Sequence, residues 1–107
     1  MAAVVIHCTC PDATTAERIA TALVDERLAA CVQQLAGLRS TYRWQGRVEH
    51  AAEILLLIKT AADRTAAVFE RVRALHPYDV PELLALDARD GTPDYLDWVI
   101  AQSRDDA

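Results

Sequence analysis

The chain has 107 residues, 52% of them hydrophobic, and a formal net charge of −5 at pH 7. That length predicts a single domain over residues 1–107, with apolar material enough for a core. The acidic balance argues against nucleic acid and membrane surfaces as partners, since both select for Lys and Arg. An apolar run such as residues 54–58 is far too short to cross a bilayer.

No basic and apolar leader pattern opens the sequence. Cys8, Cys10 and Cys31 form an odd count, which suits free thiols in a reducing cytoplasm better than a disulfide framework. The chain contains no Asn, so catalytic schemes that depend on that amide are excluded.

In chain order, residues 3–9 read as a short buried strand, ended by Pro11-Asp12. Thr14 offers an N-cap with Glu17 three residues on, and apolar residues 16, 19, 20, 23, 24 and 28 recur at helical spacing. This predicts an amphipathic helix over residues 15–27. Residues 31–44 read as a long strand with a bulge or bend at Gly37. Gln45-Gly46 is a two-residue turn, and residues 47–60 form the returning strand. Residues 63–75 read as a second helix, with Ala66, Phe69, Val72 and Leu75 facing inward and Pro77 as its stop. Residues 83–86 are a fourth strand. Thr92-Pro93-Asp94 marks the start of a last helix.

This order predicts an α+β fold: the split βαβ of a ferredoxin-like sandwich (βαββαβ plus a C-terminal helix), with the first and third strands central. The hairpin is too long for its own domain. At about 3.3 Å per residue a strand of this kind spans roughly 40 Å or more, against roughly 26 Å for a globule of this size. An overhanging ribbon carrying Tyr42, Trp44 and Val48, and a second sheet face with little to cover it, both predict self-association.

Five segments carry a family resemblance: Leu28-Ala29-Ala30-Cys31-Val32, Tyr42-Arg43-Trp44-Gln45-Gly46, Leu56-Leu57-Ile58-Lys59-Thr60, His76-Pro77-Tyr78-Asp79-Val80-Pro81-Glu82 and Asp94-Tyr95-Leu96-Asp97-Trp98. In this order they resemble the CutA family over nearly the whole chain. The resemblance implies a homotrimer similar in architecture to PII signalling proteins, and a link to tolerance of divalent cations such as copper. Overhang alone does not choose trimer over dimer. Two departures stand out: Cys10, where the family requires no cysteine, and Gln45 in place of a commoner Glu.

The candidate metal ligands are Cys8, His76, Glu82 and Cys31, for copper or another divalent cation that folding does not require. In a strand, positions 8 and 10 point to one side roughly 7 Å apart. Thiolate and imidazole suit copper or zinc. The ferredoxin-like order brings the loop 76–82 to the end of the first strand, beside Cys8 and Cys10. Cys31 opens the second strand at the opposite edge and joins only from a neighbouring subunit. Beside this stands the plain reading: cysteines as small core side chains, and His76 as a complement to the helix end.

No nucleophile turn or glycine-rich phosphate loop is present, so the chain reads as a binder rather than an enzyme. A thiol enzyme built on Cys8 and His76 lacks a third group to orient the imidazole. The rival reading is a PII-like scaffold that holds an unknown protein or small molecule at its subunit clefts.

Overall fold

Alternation along the first strand sorts its side chains onto two faces. In the computed structural model, which describes residues 2–105, strand β1 (Ala3–Cys10) buries Val4, Ile6, Cys8 and Cys10 on one face and leaves Val5 and His7 half-buried on the other. Helix α1 (Ala13–Asp25) lays Ala16, Ile19, Ala20 and Leu23 against that first face, while Val24 stays exposed. Its cap differs from the expected one. Asp12, rather than Thr14, is the N-cap, its carboxylate accepting from the Thr15 amide at 2.8 Å. Asp12 is itself extended, at φ −154 and ψ 167, and with its side-chain cap the helix begins two residues early.

Strands β2 (Cys31–Trp44) and β3 (Arg47–Ala61) form the long hairpin, and the order across the sheet is β2-β3-β1-β4, antiparallel throughout. The first and third strands are central, as the topology requires. The turn places Gln45 at φ 50 and Gly46 at φ 78, the doubly left-handed geometry that matches strand twist in two-residue hairpins. The long axis is 47 Å against 26 and 22 Å for the others, so the hairpin projects well beyond the body.

Gly37, at φ 86, sits in a bulge: Leu35 pairs with Leu55, but Leu38 pairs with Glu53. One extra residue in β2 reverses the parity of everything beyond it. Leu38, Ser40, Tyr42 and Trp44 therefore share the face of Glu53, Ala51, Glu49 and Arg47.

A 3-10 turn at Ala62–Arg64 precedes α2 (Thr65–Leu75), so the first residues of the expected second helix are wound more tightly. Val68 and Val72 are its buried residues. Phe69 and Leu75 pack partly, and Ala66 is exposed rather than inward. With Ile6, Ile19, Leu23, Leu56 and Ile58 these form the main core. Each such side chain contributes about 1.5–3 kcal/mol by leaving water.

Strand β4 (Leu84–Asp87) starts one residue later than expected, leaving Leu83 to pack on the core. Helix α3 (Pro93–Gln102) covers one end of the opposite sheet face through Val99, which is buried with Ala3 and Ala30. Elsewhere that face is bare: Leu35, Leu84 and Leu86 are all exposed. The architecture is the ferredoxin-like sandwich plus a C-terminal helix.

Candidate metal centre and the adjoining cleft

Cys8 and Cys10 pair with Leu56 and Ile54 on the helix-covered face and are fully buried. His76 caps the end of α2. Its amide donates to the Val72 carbonyl at 2.8 Å, and its backbone is already extended ahead of Pro77. That turn folds the imidazole back toward the end of β1. One donor atom each from Cys8, Cys10 and His76 lies within 4.8 Å of the other two, and all three residues are buried.

Both imidazole nitrogens are engaged. Nε2 lies 2.8 Å from the Thr9 carbonyl oxygen, to which it donates, and Nδ1 accepts from the Tyr78 amide at 3.1 Å. This is the pattern of a neutral ring protonated on Nε2. His76 thus ties the loop to β1, rather than serving as a charged complement to its own helix end. An ion can take the Nδ1 lone pair only if the Tyr78 amide gives it up. The Thr9 carbonyl would keep orienting the ring from the far side, as such partners do in metal sites.

The thiols share protons unequally. The hydrogen bond to Cys10 pushes the Cys8 thiol strongly up, and burial and the negative charges of Cys10, Glu82 and Glu53 add to it. The same bond lowers Cys10, against the opposing effects of burial, Asp12 and Glu53. Cys8 Sγ also lies 3.9 Å from the Thr9 carbonyl oxygen, a second acceptor that keeps the proton on Cys8. Two adjacent soft donors, one of which holds its proton tightly, are suited to an ion that displaces it.

The other two expected ligands fall outside this cluster. Cys31 pairs with Lys59 and so lies on the opposite sheet face, half-buried. Glu82 is exposed and lines a neighbouring cleft, near enough for its charge to act on Cys8. The structure places Cys8 and His76 beside Cys10, to which sequence reasoning gave no role.

Sequence reasoning also missed Glu53. This carboxylate is only 9% exposed and accepts a hydrogen bond from the Tyr78 hydroxyl at 3.0 Å. Burial, then the bond to Glu53, push Tyr78 up to about 12. An acid set between Ala51-Ala52 and the apolar run 54–58 was the available signal. Glu53 forms part of a cleft of about 580 Å³ between the β2–β3 arm and the loop 76–83.

The family model described as "CutA1 divalent ion tolerance protein" matches residues 4–102. The divalent-cation tolerance protein CutA of Thermus thermophilus is 52% identical over 95 residues, 89% of this chain and 92% of that protein. Its namesake from Pectobacterium atrosepticum is 46% identical over 102 residues, 95% of this chain and 93% of that one. Among solved structures, CutA from Xylella fastidiosa superposes with a TM-score of 0.93 at 50% identity, over 95% of this chain and 98% of that one. CutA1 from Oryza sativa gives 0.95 at 39% identity, over 99% and 97%. Agreement in both sequence and backbone, along nearly the full length of each partner, leaves one assignment: the chain belongs to the CutA1 divalent ion tolerance protein family.

Proposed function

We propose that this protein is a cytoplasmic, non-enzymatic homotrimer of PII-like build that takes up a soft or divalent metal ion, copper first among them, at Cys8, Cys10 and His76. The observation that carries the reading is the convergence of two thiols and an imidazole within 4.8 Å. In a trigonal or tetrahedral site, metal–sulfur bonds of about 2.3 Å set two sulfurs about 4 Å apart, so donors within 4.8 Å of one another close on an ion by moving at most about 1 Å. The ion is cargo, not a folding requirement. Cys8 and Cys10 bind as thiolates and His76 through Nδ1. Glu82 acts from the rim as an outer oxygen, and Cys31 enters only across a subunit boundary. Names of relatives that speak of divalent-cation tolerance support the reading. The overhanging arm and the exposed Leu35, Leu84 and Leu86 support self-association.

The test is calorimetric titration of the reduced protein with Cu(I), Cu(II) and Zn(II), beside Cys8→Ser, Cys10→Ser and His76→Ala. Stoichiometric uptake abolished by either cysteine change and weakened by the histidine change is expected. Weak uptake insensitive to all three overturns the reading.

A further inference from the structure

The donors gathered at the end of β1 are two sulfurs and one imidazole nitrogen, and the set stops there. Among the described residues, no fourth His, Cys, Asp or Glu lies close enough to share an ion with Cys8, Cys10 and His76. The Thr9 carbonyl oxygen between the two cysteines already accepts from the His76 ring. Cys8 and Cys10 are 0% exposed and His76 is 7% exposed, and both thiols belong to the same apolar core as Leu56, Val68 and Val72. Burial at this depth gives solvent little access as a fourth ligand. All three residues are buried within the single chain, so the cluster keeps its form whichever surfaces a neighbouring copy covers.

Divalent ions ask for more than this. Zn(II) in a closed protein site is almost always four-coordinate and tetrahedral, and Cu(II) favours square-planar nitrogen and oxygen donors. Soft thiolates favour Cu(I), and three donors satisfy that ion, whose filled d shell imposes no planar or octahedral arrangement. Cys10 makes the difference. Without its sulfur the pair Cys8 and His76 offers one soft and one borderline donor, which suits a divalent ion completed by oxygen ligands. The two thiols are also kept from closing on each other. Alternate positions of one strand lie about 7 Å apart, and parallel side chains at that spacing hold their Cβ atoms beyond the roughly 4 Å that a disulfide needs. Pairing of Cys8 with Leu56 and of Cys10 with Ile54 fixes the backbone there, and both thiols are free.

We propose that this site selects monovalent copper over divalent ions, held by the sulfurs of Cys8 and Cys10 and by Nδ1 of His76, and that Cys10 is the residue that sets the selectivity. Selection of this kind rests on the metal binding proposed above and narrows it from any soft or divalent ion to one oxidation state. No electron is transferred. Uptake exchanges the thiol protons, and the hold of the Tyr78 amide on Nδ1, for bonds to the ion.

The experiment is anaerobic competition of the reduced full chain against bicinchoninate for Cu(I) and against a coloured chelator for Zn(II), with Cys10→Ala beside wild type. Wild type should withdraw a single Cu(I) ion per chain and keep it in an excess of Zn(II). In Cys10→Ala the ratio of Cu(I) to Zn(II) affinity should fall by roughly tenfold to a hundredfold, the range over which even an outer partner tunes a metal site. Cys31→Ser should match wild type, since that thiol lies on the opposite sheet face. X-ray absorption at the copper edge of loaded wild type should show both sulfurs and a lighter donor. Where Cys10→Ala fails to fold, by circular dichroism, Cys10→Ser keeps nearly the same volume and carries the same expectation. Wild type that holds Zn(II) as tightly as Cu(I) overturns the selectivity and leaves the metal reading standing. So does a ratio that the Cys10 variants leave unchanged, one that Cys31→Ser lowers as much, or bound copper with a lone sulfur. No uptake of any ion overturns both.

Discussion

The His76 imidazole donates from Nε2 to the carbonyl oxygen of Thr9 at 2.8 Å, fastening the end of α2 to the strand between the two buried cysteines. One residue thus orients the candidate metal centre and, by accepting from the Tyr78 amide, the start of the cleft loop. Both depend on this clamp.

Replacing His76 by Ala removes the Tyr78 amide's acceptor and leaves the buried Thr9 carbonyl only its weak contact with the Cys8 thiol. An unsatisfied buried polar group costs about 1–3 kcal/mol, so His76→Ala should be destabilised by at least about 1 kcal/mol in urea denaturation. In the wild type, Zn(II) should speed hydrogen exchange at the Tyr78 amide, because Nδ1 changes partner. Unchanged exchange with the metal bound would show that His76 is not a ligand.

Metal uptake should weaken as pH falls. The Cys8 thiol is held well above its ordinary value, chiefly by its bond to Cys10, so an ion must displace a firmly held proton. Calorimetry in buffers of different ionisation enthalpy should register proton release on binding, and apparent affinity should climb from pH 6 to pH 8. A flat profile would contradict thiolate ligation.

Asp12 gives an opposite kind of pH signature, in stability. The Thr15 amide bonded to its carboxylate lowers Asp12 below its ordinary value of 3.8. A depressed carboxylate stabilises the fold above its unfolded value, and that contribution disappears as pH falls through the folded value. Asp12→Ala should therefore melt below wild type at pH 7, and the gap should close in strong acid. Thr14→Ala, at the position sequence spacing favoured for the cap, should melt like wild type.

The turn offers a stabilising change. Gln45 stands at φ 50, where Asn or Gly is less strained. Gln45→Gly should raise stability by about 0.5 kcal/mol. Gly37→Ala should lower it by about 1 kcal/mol through backbone strain at φ 86 alone, since nothing lies within 4 Å of the added methyl. Denaturant midpoints at constant m-value would check both.

Leu84 is 59% exposed and Leu86 is 45% exposed on the bare sheet face. If this face is covered by another copy, Leu84→Glu should shift sedimentation equilibrium toward monomer. A variant that sediments as wild type would move the association surface to the arm.

Most of the fold was legible in local patterns. The bounds of β2 were right to the residue, and those of β1, β3 and β4 within one, because alternation, a Gln-Gly turn and Pro77 act over a few residues. The early start of α1 was missed because Thr14 with Glu17 mimics a capping box, while Asp12 reaches the Thr15 amide directly. Of the candidate ligands, Cys8 and His76 met because strand order alone brings the end of β1 beside the loop after α2. Cys31 and Glu82 did not, since neither spacing nor residue type reveals which sheet face or loop rim a side chain occupies.

By itself, the sequence determined the order of elements, the length of the arm and the buried placement of an alternating thiol pair, all consequences of short-range periodicity. Only the tertiary structure decided that His76 has both nitrogens engaged, that Glu53 is buried against the Tyr78 hydroxyl, and that Tyr42 and Trp44 share its sheet face. Those facts depend on how a bulge shifts register and where a loop closes, and such long-range geometry is set by packing among segments far apart in the chain.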